Sequence, residues 1–597
     1  MKFLVFVFFL FLQLSNAVSF NKIIYLDPVP GANFVSVSNT IIIGFESPVN
    51  LKESDVLSCI DITGSKSMRH TGTAMICEGM KKIIFKPSSA FEYSEKITVT
   101  LKGKLLNYIK PSQKEFSFTT AKNKIDWNTI KYMFDEAGSI KNPSGFYDAL
   151  PQFPVITVTI NDNPSSGDIF LSNYHATNNP AYLIITDVNG LPYWYRQLSW
   201  DCDDFKKQWN GHLSYYTVSD YTHYELDSNY NTLHTYRCGN QYLTDGHDFR
   251  LLANGHAYVM AYDPETVNMS DSVAGGNPNA TVTGLIIQEV DPNQIVYFQW
   301  RSWDHFSILD SWHQNLQAEN IDYVHGNAIE VDNDNNLIIS SRHLDEITKI
   351  DRATGDIIWR FGGKNNQFAF LGDTLKFTYQ HAIRRIANGN LTLFDNGNFH
   401  NPPFSRAVEY NMDTANKTAT LVWEYRHSPT VYSSAMGYVQ RLANGNTLIG
   451  WGYTNPSVTE VRTDGTVAFE MSLPQGIISY RAYKFDWGGA PVSVDNNSGT
   501  IPSAFSLSQN YPNPFNPTTK IKFSIPLSRG VPEGRGVLTS IIIYDILGRE
   551  VATPLNTSLF PGSYEVEWNA SSCASGVYFY KLETAGFSQT KKMILIK

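Results

Sequence analysis

Three histidines in this chain stand at the heads of similar short segments. His247 opens "HDFRLLANGHAYVMAYD", His325 opens "HGNAIEVDNDNNLIISSRH" and His381 opens "HAIRRIANGNLTLFDNG". Each segment reads as strand, Asn/Gly-rich turn, strand, which is a β-hairpin. Residues two apart on a strand share a face, so His325 and Asn327 are expected to point the same way. Arg342, near the end of the returning strand, should lie across the ladder beside His325. One hairpin would thus present imidazole, carboxamide and guanidinium at a single rim. This set is rich in donors and poor in carboxylates, and suits a tetrahedral, multiply oxygenated anion such as sulfate or phosphate. A neutral imidazole is also a competent nucleophile. The chemistry suggested is transfer of an anionic group through a covalent histidine, with donors aimed at the oxygens.

A three-histidine zinc site is the competing reading of the same residues. Arg342 beside it would repel a cation, so no metal is expected. Neither a GxxxxGK[ST] phosphate loop nor HExxH occurs, leaving a nucleotide-bound donor without support. A lone histidine at a strand edge is ordinarily structural. The functional reading rests on three at one register, with an arginine and an asparagine. His256, His305, His313, His343, His400 and His427 lack that register and read as structural or rim residues.

The hairpins must be brought together by the fold. They begin at 247, 325 and 381, with a fourth, "GYVQRLANGNTLIGWG", at Gly437, giving intervals of 78, 56 and 56 residues. The longer interval contains "PETVNMSDSVAGGNPNATVTG", which reads as a loop insertion. Between the hairpins recur apolar stretches with a central aromatic: "LPYWYRQL", "IVYFQWRSW", "DIIWRFGG" and "LVWEYRH". These supply outer strands of the same unit. Four-stranded units at this pitch are blades of a β-propeller, in which equivalent positions converge on one axis. The span 126–487 at that pitch holds about six blades.

The rest of the chain reads by composition. Of 597 residues, 33 are Tyr, 35 Phe and 12 Trp while only 17% are charged, which favours a β-rich globular protein. The net charge of −9 is scattered, so no nucleic-acid partner is expected. The first 17 residues, with an apolar run after Lys2 and a small-residue site ending at Ala17, read as a signal peptide. Residues 18–122 alternate in short strands and suggest a β-sandwich similar to the immunoglobulin-like modules of exported bacterial proteins. Residues 124–138 read as a short helix or a connector. Residues 123–487 form the propeller, 488–503 a Ser/Asn/Pro linker, and 504–597 a final unit. In an exported chain Cys59 with Cys77, and Cys202 with Cys238, could form disulfides, leaving Cys573 unpaired.

Two resemblances add to this reading. "YPNPFNP", "YDILGREV" and the terminal "KKMILIK" resemble the C-terminal sorting domain of type IX (Por) secretion cargo. That resemblance implies partnership with the type IX machinery, passage through the periplasm, and a secreted or cell-surface location. "HGNAIEVDNDNNLIISSRH", "YQHAIRRIANGNLTLFDNG" and "MGYVQRLANGNTLIGWG" resemble the bacterial arylsulfate sulfotransferases over residues 20–487. The resemblance implies a six-bladed propeller behind a β-sandwich. It also implies transfer of a sulfuryl group from a phenolic sulfate ester to another phenol by a ping-pong mechanism, with no nucleotide or other cofactor. His381 matches the transiently sulfated nucleophile. His247, His325, Asn327 and Arg342 match the groups on the sulfuryl oxygens, with His247 or His325 also handling the phenolic proton. Aromatic side chains facing the funnel would stack on both phenols. Two departures from the family are the missing short-range cysteine pair and the sorting domain. A homodimer, a non-catalytic adhesin or glycan-binding propeller, and an aryl sulfate hydrolase all stay open at this point.

Overall fold

The computed structural model describes residues 22–125, 154–174, 181–190, 192–198, 200–487, 493–494, 505–525, 537–559, 562–571, 573–584 and 586–597. The signal peptide, nearly all of the 124–138 segment and most of the 488–503 linker lie outside these residues. The fold is all-β, as expected. Among the described residues, no helix is long and apolar enough to cross a membrane.

The N-terminal unit is a pair of four-stranded sheets. Ile41, Ile43, Phe45, Ile83 and Phe85 from one sheet meet Ile60, Ile62, Val99 and Phe118 from the other. The strand Ile41–Phe45 is buried at every position, where alternation would leave one face wet. Its second face is covered too: Ile42 joins Tyr25, Ile84, Tyr258 and Phe298 in a separate core against the next unit. The Tyr25 hydroxyl donates to the Gln299 carbonyl at 2.7 Å, and its ring stacks on Phe298 at 5.4 Å.

Among the described residues, six four- or five-stranded sheets follow, each packed against the next in a closed ring. Their innermost strands are Cys202–Lys207, Thr244–Leu251, Gly326–Val331, His381–Arg385, Tyr438–Arg441 and Ile478–Phe485. The ring is latched twice by chain-distant strands. Ile478–Phe485 pairs with Asp168–Tyr174, and Thr157–Asn161 completes the sheet of Val467–Ser472. The aromatic-centred stretches form Pro192–Leu198, Val296–Arg301, Ile357–Gly362 and Thr418–Tyr425, on the outer side of their sheets as expected.

The inserted segment after Asp263 is not a loop throughout. Ala257–Val267 and Ala280–Val290 pair continuously out to Val267↔Ala280, extending a hairpin whose polar, Pro-containing sequence hides the ladder. No disulfide forms, and all five cysteines are thiols. Cys59 lies in the sandwich core whereas Cys77 packs on the opposite, propeller-facing side. Cys202 sits on an innermost strand, and Cys238 follows the outermost strand of the same sheet, giving its thiol to the Met260 carbonyl.

The chain ends in two further four-stranded sheets around their own core, including Ile521, Ile541, Val566, Tyr580 and Met593.

Candidate active site

The expected residues gather where the inner strands begin. Here the backbone departs from plain strand: His325, Tyr379, Ala382 and Met436 have φ of +49°, +54°, +58° and +65°. Left-handed conformations at residues bearing a Cβ are strained and are held only by their surroundings. The ladders slip at the same places, between Gly326 and Ala328 and between His381 and Arg384. Face-sharing across these bulges therefore fails. His325 and Asn327 do not serve one rim: His325 turns to His247, and Asn327 turns to the next sheet.

His247 and His325 meet edge to face with ring centroids 5.1 Å apart, and Tyr262 and Tyr480 pack against this pair. Each imidazole has its own carboxylate. His247 Nδ1 lies 2.7 Å from Asp245 Oδ1, and His325 Nδ1 lies 2.7 Å from Asp322 Oδ2. A carboxylate on Nδ1 sets the tautomer and the ring orientation. Arg342 does lie across from His325, its backbone N–H donating to the His325 carbonyl at 2.9 Å. Its guanidinium covers the Tyr379 ring at 4.0 Å and bonds the Ser434 carbonyl.

His381 occupies the next sheet. Its Nδ1 is 2.7 Å from Asn396 Oδ1 and 3.2 Å from the Tyr379 carbonyl. The Asn396 amide donates from Nδ2 to the carbonyls of Ser433 and Met436, so its oxygen faces the imidazole. That oxygen can only accept, which puts the proton on Nδ1 and the lone pair on Nε2. The Met436 N–H approaches Nε2 at 3.3 Å. Asn327 clamps the same strand from the other side. Its Nδ2 donates to the Gln380 carbonyl at 2.8 Å, and its Oδ1 accepts from the Ala382 N–H at 3.3 Å. Its amide is thus committed to the backbone flanking His381. The loop Ser433–Met436 ties the groups together, because it meets His381, Asn396 and Arg342 alike.

Below this cluster lies a buried ionic floor. Asp204 and Asp248 are shared among Lys206, Arg384 and Arg481. Arg481 also donates to the Asn327 carbonyl, and the Tyr480 hydroxyl donates to the His247 carbonyl. The cationic neighbours hold Asp248 well below the usual carboxylate range against the cost of its burial. Asp203, on the same strand as Asp204, behaves oppositely. Burial, together with Asp201, pushes its carboxyl up to about 8 against the pull of His247.

Several of these residues escaped sequence reasoning. His343, read there as structural or rim, stands 4.8 Å from His325 ring to ring, and its Nε2 accepts from Arg342 Nη1 at 2.8 Å. Asn396, Asp245 and Asp322 follow or precede the expected residues by short spacings that carry no recognisable motif. Asp322, His325 and His343 bring ligand-type atoms within 4.8 Å of one another. The Arg342 guanidinium bonded to His343 disfavours a cation at that trio.

An all-β chain with a closed ring of sheets and histidines and an arginine gathered at the strand entrances is a propeller-type protein. A sequence profile of the arylsulfotransferase (ASST) family matches residues 155–484, and the chain belongs to that family. It is accordingly a sulfotransferase, and the family points to phenolic substrates. A bacterial Ig-like domain matches residues 20–120, and a secretion-system C-terminal sorting domain matches 509–597, marking the chain for type IX secretion. No curated protein matches the chain. Among solved structures, a protein of unknown function from Bacteroides caccae is similar at 12% identity and a TM-score of 0.35, covering 54% of this chain and 99% of its own. Virginiamycin B lyase from Staphylococcus aureus, bound to quinupristin, is similar at 9% identity and a TM-score of 0.28, covering 53% and 88%. The PQQ-bound aldose sugar dehydrogenase of Streptomyces coelicolor is similar at 8% identity and a TM-score of 0.27, covering 68% and 99%.

Proposed function

We propose that the protein moves a sulfuryl group between phenols by a ping-pong route through His381, without a nucleotide donor. The observation carrying this reading is the Asn396–His381 contact, which leaves Nε2 as the basic atom of a buried imidazole. Nε2 attacks the sulfur of an aryl sulfate; the N–S bond forms as the S–O(aryl) bond breaks, and the phenolate departs. A phenol has a pKa of about 10, so departure benefits from a proton delivered as the bond breaks. His247 or His325, each paired with a carboxylate, supplies that proton. An acceptor phenol returns its proton to the same imidazole and attacks the sulfur, regenerating His381.

Arg342 and the Met436 N–H hold the sulfuryl oxygens, His343 orients Arg342, and Asn327 acts as a positioning residue for the His381 strand. The test uses 4-nitrophenyl sulfate with and without added phenol. Release of nitrophenolate beyond one equivalent per chain should require the acceptor, and all release should disappear in His381→Ala. Sustained acceptor-independent release would mean hydrolysis, and full activity in His381→Ala would remove the histidine from the reaction.

A further inference from the structure

The loops around the funnel carry large aromatic side chains that the mechanism above does not use. Trp312 is 47% exposed and Phe399 is 49% exposed. They are joined through His313. The His313 and Phe399 rings stack at 3.5 Å and 11°, and the Trp312 and His313 rings lie 5.7 Å apart at 11°. The three rings form a short stack of nearly parallel planes whose end members, Trp312 and Phe399, are half in water and offer exposed aromatic surface of the kind that marks a ligand site.

The row is fixed rather than fluid. His313 Nε2 pairs with Asp345 Oδ2 at 2.8 Å, and the other oxygen of Asp345 accepts the Tyr379 N–H at 2.7 Å. The Trp312 N–H donates to the His343 carbonyl, and the Phe399 N–H donates to Thr378 Oγ1. Both ends are thereby anchored to segments that carry site residues. The row is also continuous with the anion site: Phe399 meets Tyr379 edge to face at 5.0 Å, and Arg342 lies on Tyr379. An ester with its sulfate at Arg342 has this surface ahead of whatever extends beyond its first ring.

We propose that this stack is an outer shelf whose exposed rings, Trp312 and Phe399, pack against the second ring of a multi-ring phenol, so that the preferred donors and acceptors are fused or linked aromatics rather than simple phenols. The proposal rests on the sulfuryl-transfer reading for its placement of the ester. Stacking of one aromatic pair contributes enough for a change of roughly 3- to 10-fold in affinity.

The experiment compares 4-nitrophenyl sulfate with 2-naphthyl sulfate as donors for the full chain. It uses Trp312→Ala and Phe399→Ala, with Trp312→Phe and Phe399→Leu as gentler variants whose thermal unfolding is checked. The ratio of the two KM values should shift against the naphthyl donor by roughly 3- to 10-fold in the alanine variants. Trp312→Phe should largely preserve the ratio because it keeps a stacking ring. Effects on the general integrity of the site cancel in this ratio. An unchanged ratio in all folded variants would overturn the shelf. A second measurement separates this from failure of the transfer reading: 2-naphthol binding to His381→Ala, followed calorimetrically with and without Phe399→Leu. Weaker binding on loss of the Phe399 ring supports the shelf even if no sulfuryl is transferred, and equal binding contradicts it.

Discussion

Two side-chain amides determine what His381 can do. Asn396 fixes the tautomer from one side, and Asn327 grips the backbone on the other, bonding both Gln380 and Ala382. A mis-set tautomer costs a catalytic histidine up to about 10⁴-fold in kcat, the value known for the serine-protease triad. Asn396→Ala is therefore expected to lower kcat by roughly 10²- to 10⁴-fold with a much smaller change in KM. Asn396→Asp, which still accepts the Nδ1 proton, should recover part of the loss; steady-state kinetics on both variants decide this. A fall in KM and kcat together with a lowered melting point would assign Asn396 to folding instead. His381 was legible in the sequence because it repeats the register of His247 and His325. Asn396 was not, although it lies in the same hairpin, because "DNG" after a strand reads as turn chemistry. Its role appears only when the neighbouring sheet delivers Ser433 and Met436 to its amide.

At the scale of the element, the hairpins were readable and their bulges were not. Period-two alternation located the inner strands of four sheets, yet it placed His325 and Asn327 on one face. Left-handed residues at each strand entrance reverse that inference, and no side-chain pattern announces them. The strands Cys202–Lys207 and Ile478–Phe485 were missed as hairpin repeats. The first has its own slip at Asp204, and the second pairs with a strand some three hundred residues earlier. The sheets also bury titratable groups that the proposed reaction does not use. His223 stacks on Phe249 and His305 on Trp300, and burial pushes both imidazoles down to about 4. An imidazole is half-charged near pH ~6.5 in the unfolded chain, so the unfolded state binds more protons below that point. These two groups contribute stability that is present above pH ~6.5 and lost as pH falls towards 4, on the order of 3 kcal/mol each. The denaturant midpoint should drop across that window, and His305→Gln should flatten the slope. A midpoint that is level from pH 6.5 to 4.5 would contradict the assignment.

At the scale of the whole molecule, three kinds of cohesion have different legibility. The sandwich and the terminal unit each enclose a core of their own, and their composition shifts mark them in the chain. The ring is different, because its central groups come from every sheet. Asp204, Asp248, Arg384 and Arg481 read in sequence as scattered charges, but together they form the floor under His247 and Asn327. The docking of Tyr25 and Ile42 on Phe298 and Tyr258 likewise joins residues more than two hundred positions apart. The proposed sulfuryl transfer places its reacting nitrogen on His381, on one of the inner strands of this ring. The most direct test is to mix the intact chain with excess 4-nitrophenyl sulfate and no acceptor, quench within one turnover, and map the modified peptide by mass. The account predicts one burst equivalent of nitrophenolate and one sulfuryl group on the peptide containing His381, discharged when phenol is added. Turnover to the acceptor with no sulfuryl ever found on His381 would contradict it.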